Sequence, residues 1–170
     1  MIRYVILRLA LIVGLICALG LVIANDAAAD TYMSGMVGVA NSGKDSISET
    51  KFLNFGYRQP LALGLSQQFE LGGWADRAGQ GRKTSGYVAW QLGVEAGDTT
   101  IARVMAGPAL ITTPDAYLGG PLEFTEDFFI GIRGKNGNTV GIQYKHFSSG
   151  GIYQPNIGRD LVGPQISIPF

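Results

Sequence analysis

Residues 139–149 read Thr139-Val140-Gly141-Ile142-Gln143-Tyr144-Lys145-His146-Phe147-Ser148-Ser149. In a β-strand successive side chains point to opposite faces. Val140, Ile142, Tyr144, His146 and Ser148 therefore share one face, and Gly141, Gln143 and Lys145 the other. A membrane barrel wall has this pattern, with an apolar row toward lipid and a polar row toward the lumen. On that reading His146 and Ser148 continue the lipid-facing row.

The alternation recurs along the chain, in segments bounded by Gly, Pro, Asn or Asp. Strands are expected near Tyr32–Ala40, Phe52–Arg58, Leu63–Ala75, Gly86–Glu95, Thr100–Ile111, Phe124–Gly134, Thr139–Ser149 and Val162–Phe170. Eight is the smallest size that transmembrane barrels take, with strands of about 9–11 residues. The connections alternate in length. Asn41–Lys51, Asp76–Ser85, Thr112–Glu123 and Gly150–Leu161 are long, whereas Gln59–Ala62, Ala96–Thr99 and Lys135–Asn138 are short. Outer-membrane barrels alternate long extracellular loops with short periplasmic turns. The expected fold is an all-β, eight-stranded antiparallel transmembrane β-barrel of the outer membrane, spanning residues 30–170. The chain ends Ile166-Ser167-Ile168-Pro169-Phe170, an alternating segment with an aromatic terminus. It looks like the final strand by which the barrel assembly machinery recognises its clients.

Composition agrees with one exported domain. The 170 residues hold 13 basic and 13 acidic side chains, and only 15% are charged, against about 25% in soluble domains. A neutral balance without basic clusters argues against nucleic acid as a partner, and the apolar content argues against disorder. One cysteine, Cys17, and one histidine, His146, exclude disulfide scaffolds and Cys/His zinc sites. Residues 1–29 read as a signal peptide. Arg3 and Arg8 form a basic start, Leu9 to Ile23 an apolar run, and Ala27-Ala28-Ala29 a cleavage site. An uncleaved anchor is the alternative, since Val5 to Ala24 is nearly long enough to span a bilayer.

Tyr32, Phe52, Tyr57, Tyr117, Phe124, Phe147 and Phe170 fall near expected strand ends, where aromatic girdles sit. Each is equally open to reading as a strand or core aromatic. The many glycines fit a crowded barrel interior or mark bulges. Lys145 and Gln143 are expected in a lumenal polar network with Glu70 or Glu95. Glu123, Glu126 and Asp127 form no convincing cation site. Arg77, Arg82, Lys83, Lys44 and Lys51 are expected in loops, as solvated cations or as a grip on lipopolysaccharide phosphates.

One constellation carries chemistry. Asp160 is in phase with the apolar row Val162, Ile166, Ile168 and Phe170, provided the last strand reaches back to it. It then returns beside His146 and Ser148. A serine hydroxyl needs a base to become a nucleophile, and the base needs a carboxylate to hold its tautomer.

The segment His146-Phe147-Ser148-Ser149-Gly150-Gly151-Ile152-Tyr153-Gln154-Pro155-Asn156-Ile157-Gly158-Arg159-Asp160 resembles the C-terminal motif of the lipid A 3-O-deacylase family of outer-membrane barrels. That motif is His-aromatic-Ser, a glycine-containing step, Pro-Asn-x-Gly and an acidic residue. The resemblance implies Ser148 as nucleophile, His146 as general base and Asp160 as orienting acid. It also implies Gly151, Asn156 and Ser149 at or near the oxyanion site. Two positions depart from the motif: Asp160 stands where glutamate is commoner, and Ser149 where asparagine is usual. The implied activity is hydrolysis of an ester-linked acyl chain of lipid A or lipopolysaccharide. It needs no metal or organic cofactor and takes place among outer-membrane lipids. A non-catalytic barrel remains the alternative. A barrel acyltransferase with an internal acyl ruler would need catalytic groups in the lumen, opposite to where His146 and Ser148 are expected.

Overall fold

A computed structural model describes residues 29–40, 48–78, 81–114, 118–154 and 156–169. The expected leader, Tyr117, Pro155 and Phe170 lie outside the described residues, apart from Ala29. The strands are β1 (Asp30–Ala40), β2 (Ser48–Pro60), β3 (Leu65–Ala78), β4 (Gly81–Ala96), β5 (Thr100–Ile111), β6 (Leu122–Arg133), β7 (Thr139–Ser148) and β8 (Arg159–Pro169). Each pairs antiparallel with the next, and β8 returns to β1 to close the barrel. Closure satisfies backbone groups that an open edge would leave bare in lipid.

Side chains alternate as the period of two requires. Val104, Phe128, Ile130, Val140, Ile142 and Ile166 stand exposed on the outside, where hydrocarbon is the solvent that suits them. Among the described residues the lumen is filled through its upper and middle levels. At the end holding the 149–158 connection, Phe52, Trp74, Tyr87 and Phe147 pack ring to ring with Met36 and Leu161. Below them the Lys145 ammonium, wholly buried, sits 2.5 Å from Glu70 Oε2 and 2.6 Å from Asp127 Oδ1. Tyr32 and Tyr87 donate their hydroxyls to Glu70, as Asn54 does its amide, and Gln68 reaches Asp127. Toward the other end Arg103 and Arg133 grip Glu95, and Arg58 pairs with Asp30. Glu70, not Glu95, is thus the partner of Lys145; Gln143 is buried on the same inward face.

Two expectations need correcting. Asp76–Ser85 is not a long loop, because β3 and β4 run on as a ladder to Ala78 and Gly81 with only residues 79–80 between them. Polar residues there had suggested irregular backbone, but a hairpin that projects beyond the bilayer needs polar side chains just as a loop does. The expected start of the third strand, Leu63, lies instead in the turn Ala62–Gly64 at a φ of 63°. Of the two readings open for Tyr32, Phe52 and Phe147, the structure supports the core one, since all three are buried in the lumen. Nearness to a strand end does not decide the face; parity does. Small residues make room for such rings, as Gly56 does beneath the Tyr32 side chain.

Removing one partner of a buried ion cluster leaves uncompensated charge and costs about 3–5 kcal/mol. Lys145→Met, which strands Glu70 and Asp127 together, is expected to lower barrel stability by about that amount. Urea unfolding of the refolded chain in lipid vesicles measures it.

Candidate active site on the outer face

The β7–β8 ladder sets the site. Register places His146 opposite Asp160 and Tyr144 opposite Val162. Lys145 and Phe147 are buried in the lumen, so their neighbours Tyr144, His146 and Ser148 point outward. Strand β8 does extend back to Arg159, which brings Asp160 into the outward row. His146 Nδ1 lies 2.7 Å from Asp160 Oδ1, each side chain 27% exposed. A carboxylate only accepts, so Nδ1 carries the proton in this contact, and in the neutral ring that leaves Nε2 as the nitrogen with the lone pair. The same Asp160 Oδ1 accepts a second bond, from the Tyr144 hydroxyl at 2.5 Å.

Ser148 ends β7, paired with Phe124 of β6 and partly exposed on the face that holds His146. No hydrogen bond joins its hydroxyl to the imidazole among those described. The structure thus joins imidazole and carboxylate and sets the Ser148 hydroxyl one side-chain repeat beyond them. Two residues of strand advance about 6.7 Å, so the ring must lean along the strand to meet it.

The 149–158 connection folds over this end. Gly150 and Gly151 both have positive φ (58° and 82°), and the Ile152 N–H donates to the Ser149 carbonyl at 3.0 Å. Positive φ at both central residues is the requirement of a type I′ turn, which glycine meets without strain. Gly151 lies exposed at its crest, with open space around it. Ser149 turns inward and is fully buried. Its N–H donates to Asn156 Oδ1 at 2.8 Å, and its hydroxyl meets the Tyr153 backbone. Asn156 therefore braces the loop, and the Ser149 N–H is already committed. The Tyr153 ring lies over Gly120, which ties the loop to the neighbouring 112–121 connection.

Two residues at the site carry no role in the sequence reading. Gly158, at a φ of 82°, lies against the imidazole; an added Cβ would come within 2.9 Å of His146 Cε1. Tyr144 is legible in principle, since it lies two residues before His146 on the same face, but parity alone does not say where its hydroxyl reaches. The acidic trio is split by parity as well. Glu123 and Asp127 turn inward, and Glu126 stands exposed outside, in register with His146. Among the described residues no group of three or more His, Cys, Asp or Glu could hold a metal ion. Of the expected loop cations, Arg77, Arg82 and Lys83 lie on β3 and β4, Lys51 is exposed on β2, and Lys44 lies outside the described residues.

A model of the family described as lipid A 3-O-deacylase (PagL) matches residues 53–169. The chain belongs to the lipid A 3-O-deacylase family. The match includes all of β7, the following connection and β8. Lipid A deacylase PagL of Pseudomonas aeruginosa is 28% identical over 132 residues, covering 64% of this chain and 76% of that protein. Among solved structures, the crystal structure of the outer membrane enzyme PagL superposes with a TM-score of 0.56 at 24% identity. It covers 82% of this chain and 99% of that one. The Yersinia pestis outer membrane protein Ail, solved in a phospholipid bilayer nanodisc, gives 0.53 at 8% identity, covering 84% and 99%. At such identities the likeness is one of fold, and the family match is what separates this barrel from others of its shape.

Gly158→Ala is expected to shift the imidazole resonances of His146, the sole histidine, and to cost about 1–3 kcal/mol through its positive φ. Gly151→Ala meets the same backbone strain without touching the ring, so it should leave those resonances in place. NMR of histidine-labelled barrel compares the two.

Proposed function

We propose that the chain is an outer-membrane lipid A 3-O-deacylase, a serine esterase exported after removal of residues 1–29. The observation that carries this reading is the His146–Asp160 pair, 2.7 Å apart on the outward face beside Ser148, in a chain of this family. In the proposed reaction His146 Nε2 takes the Ser148 proton as Oγ attacks the ester carbonyl. Asp160 holds Nδ1–H and balances the imidazolium. The tetrahedral oxyanion collapses, the sugar hydroxyl leaves with the proton from His146, and the acyl group stays on Ser148. Water, deprotonated by the same imidazole, then releases the fatty acid. The Gly151 N–H is the proposed oxyanion donor, at a turn held in place by the Ser149–Asn156 bond. In apo structures catalytic hydrogen bonds are commonly long and tighten around substrate, which accommodates the absence of a Ser148–His146 bond here.

Location supports the same reading. With the three longer connections outside the cell, His146 and Ser148 stand at outer-leaflet depth, where lipopolysaccharide lies. The apolar wall below them, with Ile142, Phe128 and Val162, gives the acyl chain a surface beside its own leaflet. Among the described residues the aromatic layer and the Lys145 cluster beneath it occupy the lumen at the level of the site, where an internal acyl ruler would need space.

Expression in a Gram-negative host should remove one hydroxyacyl group from lipid A, read by mass spectrometry. Ser148→Ala and His146→Ala should abolish that change while the barrel still folds. Asp160→Asn should lower kcat by about 10³–10⁴, as expected when an orienting carboxylate is lost. Lipid A left unchanged by the wild-type chain would refute the activity and favour a non-catalytic barrel.

A further inference from the structure

Asp160 sits at the second position of β8, where the strand emerges from a ten-residue connection. Strand ends open more readily than strand centres. An aspartate there can turn its carboxylate away from the imidazole by simple side-chain rotation. Tyr144 opposes this. It lies further into β7, diagonal to Asp160 across the ladder, within the reach of long side chains. Its ring packs against Phe128 of β6, centroids 6.2 Å apart and planes tilted by 49°. The hydroxyl is thus delivered from a ring held by the sheet, and it donates to the oxygen that faces His146 Nδ1.

We propose that Tyr144 is a positioning residue that pins the Asp160 carboxylate in contact with His146 and so keeps the imidazole in its Nδ1–H tautomer. The proposal deepens the Ser148–His146–Asp160 reading and rests on it for its effect on rate. A phenol hydroxyl that donates to a carboxylate forms a charge-assisted bond, among the stronger kinds in proteins. On a wall that faces lipid, water is a poor substitute for it. With the carboxylate fixed, Nδ1–H has one acceptor in one place, and in the neutral ring Nε2 is the basic nitrogen. Without the hydroxyl, the Asp160 carboxylate loses this restraint on its orientation, and the ring populates both tautomers.

Two readouts test this on the refolded full barrel. Tyr144→Phe should lower kcat for lipid A by about tenfold to a hundredfold, the effect of losing one bond to a charged group, with KM within about twofold. In ¹⁵N NMR the sole histidine should change from a single Nδ1–H tautomer to a mixture. In an Asp160→Asn background, Tyr144→Phe should change neither readout further, because the hydroxyl acts through that carboxylate. Unchanged kcat and tautomer in Tyr144→Phe would overturn the positioning role while leaving the esterase reading intact. Additive losses with Asp160→Asn would overturn it too, by showing that Tyr144 acts on substrate directly. A tautomer that responds to Tyr144→Phe in a barrel inactive on lipid A would support the positioning role and refute the esterase.

Discussion

The buried Lys145 ammonium, clamped between Glu70 and Asp127, decides which way β7 faces. An ammonium on the lipid side would lose these partners and meet hydrocarbon, a costly exchange. Because side chains alternate strictly, a slip of one residue would turn the whole row over. Lys145 inward therefore means Tyr144, His146 and Ser148 outward. The Phe147 ring, wedged among Phe52, Trp74 and Tyr87 just above the ammonium, reinforces the same choice. One buried charge cluster and one aromatic layer thus give the barrel its stability and give the site its direction.

From that orientation the candidate site follows by register. Antiparallel pairing brings Asp160 back opposite His146, so imidazole and carboxylate meet across the last hairpin without help from a cleft. The connection between them is short enough to be braced by its own residues. Asn156 holds Ser149, the paired glycines turn the chain, and Gly158 leaves room for the imidazole. In the proposed reading the site is built on a barrel wall rather than in a pocket, and the bilayer would supply the other side of the cavity. The family to which the chain belongs is named for a substrate that resides in such a bilayer.

Much of this architecture is legible in the sequence. Alternation from Thr100 to Ile111 delimits β5 as it stands, and the phase of Asp160 with Val162 anticipates its place beside His146. The misread and open points share a cause. Residues 76–85 look like a loop because they are polar, yet polarity reports solvent and not backbone geometry. Tyr32, Phe52 and Phe147 look interfacial because they lie near strand ends, yet each is a single residue whose face depends on a neighbour's parity. Parity puts Tyr144 on the outward face, but its bond to Asp160 depends on the diagonal offset between two strands, which no single strand's pattern contains. The brace between Asn156 and Ser149 is equally invisible, since a loop has no period to read.

The direction of His146 is the point on which the rest turns, and labelled lipid tests it most directly. Barrel carrying labelled histidine and lysine would be placed in vesicles containing paramagnetic lipid chains. His146 resonances should broaden strongly, while the Nζ signal of Lys145 should stay sharp. A sharp His146 beside a broadened Lys145 would reverse the faces of β7 and contradict the account.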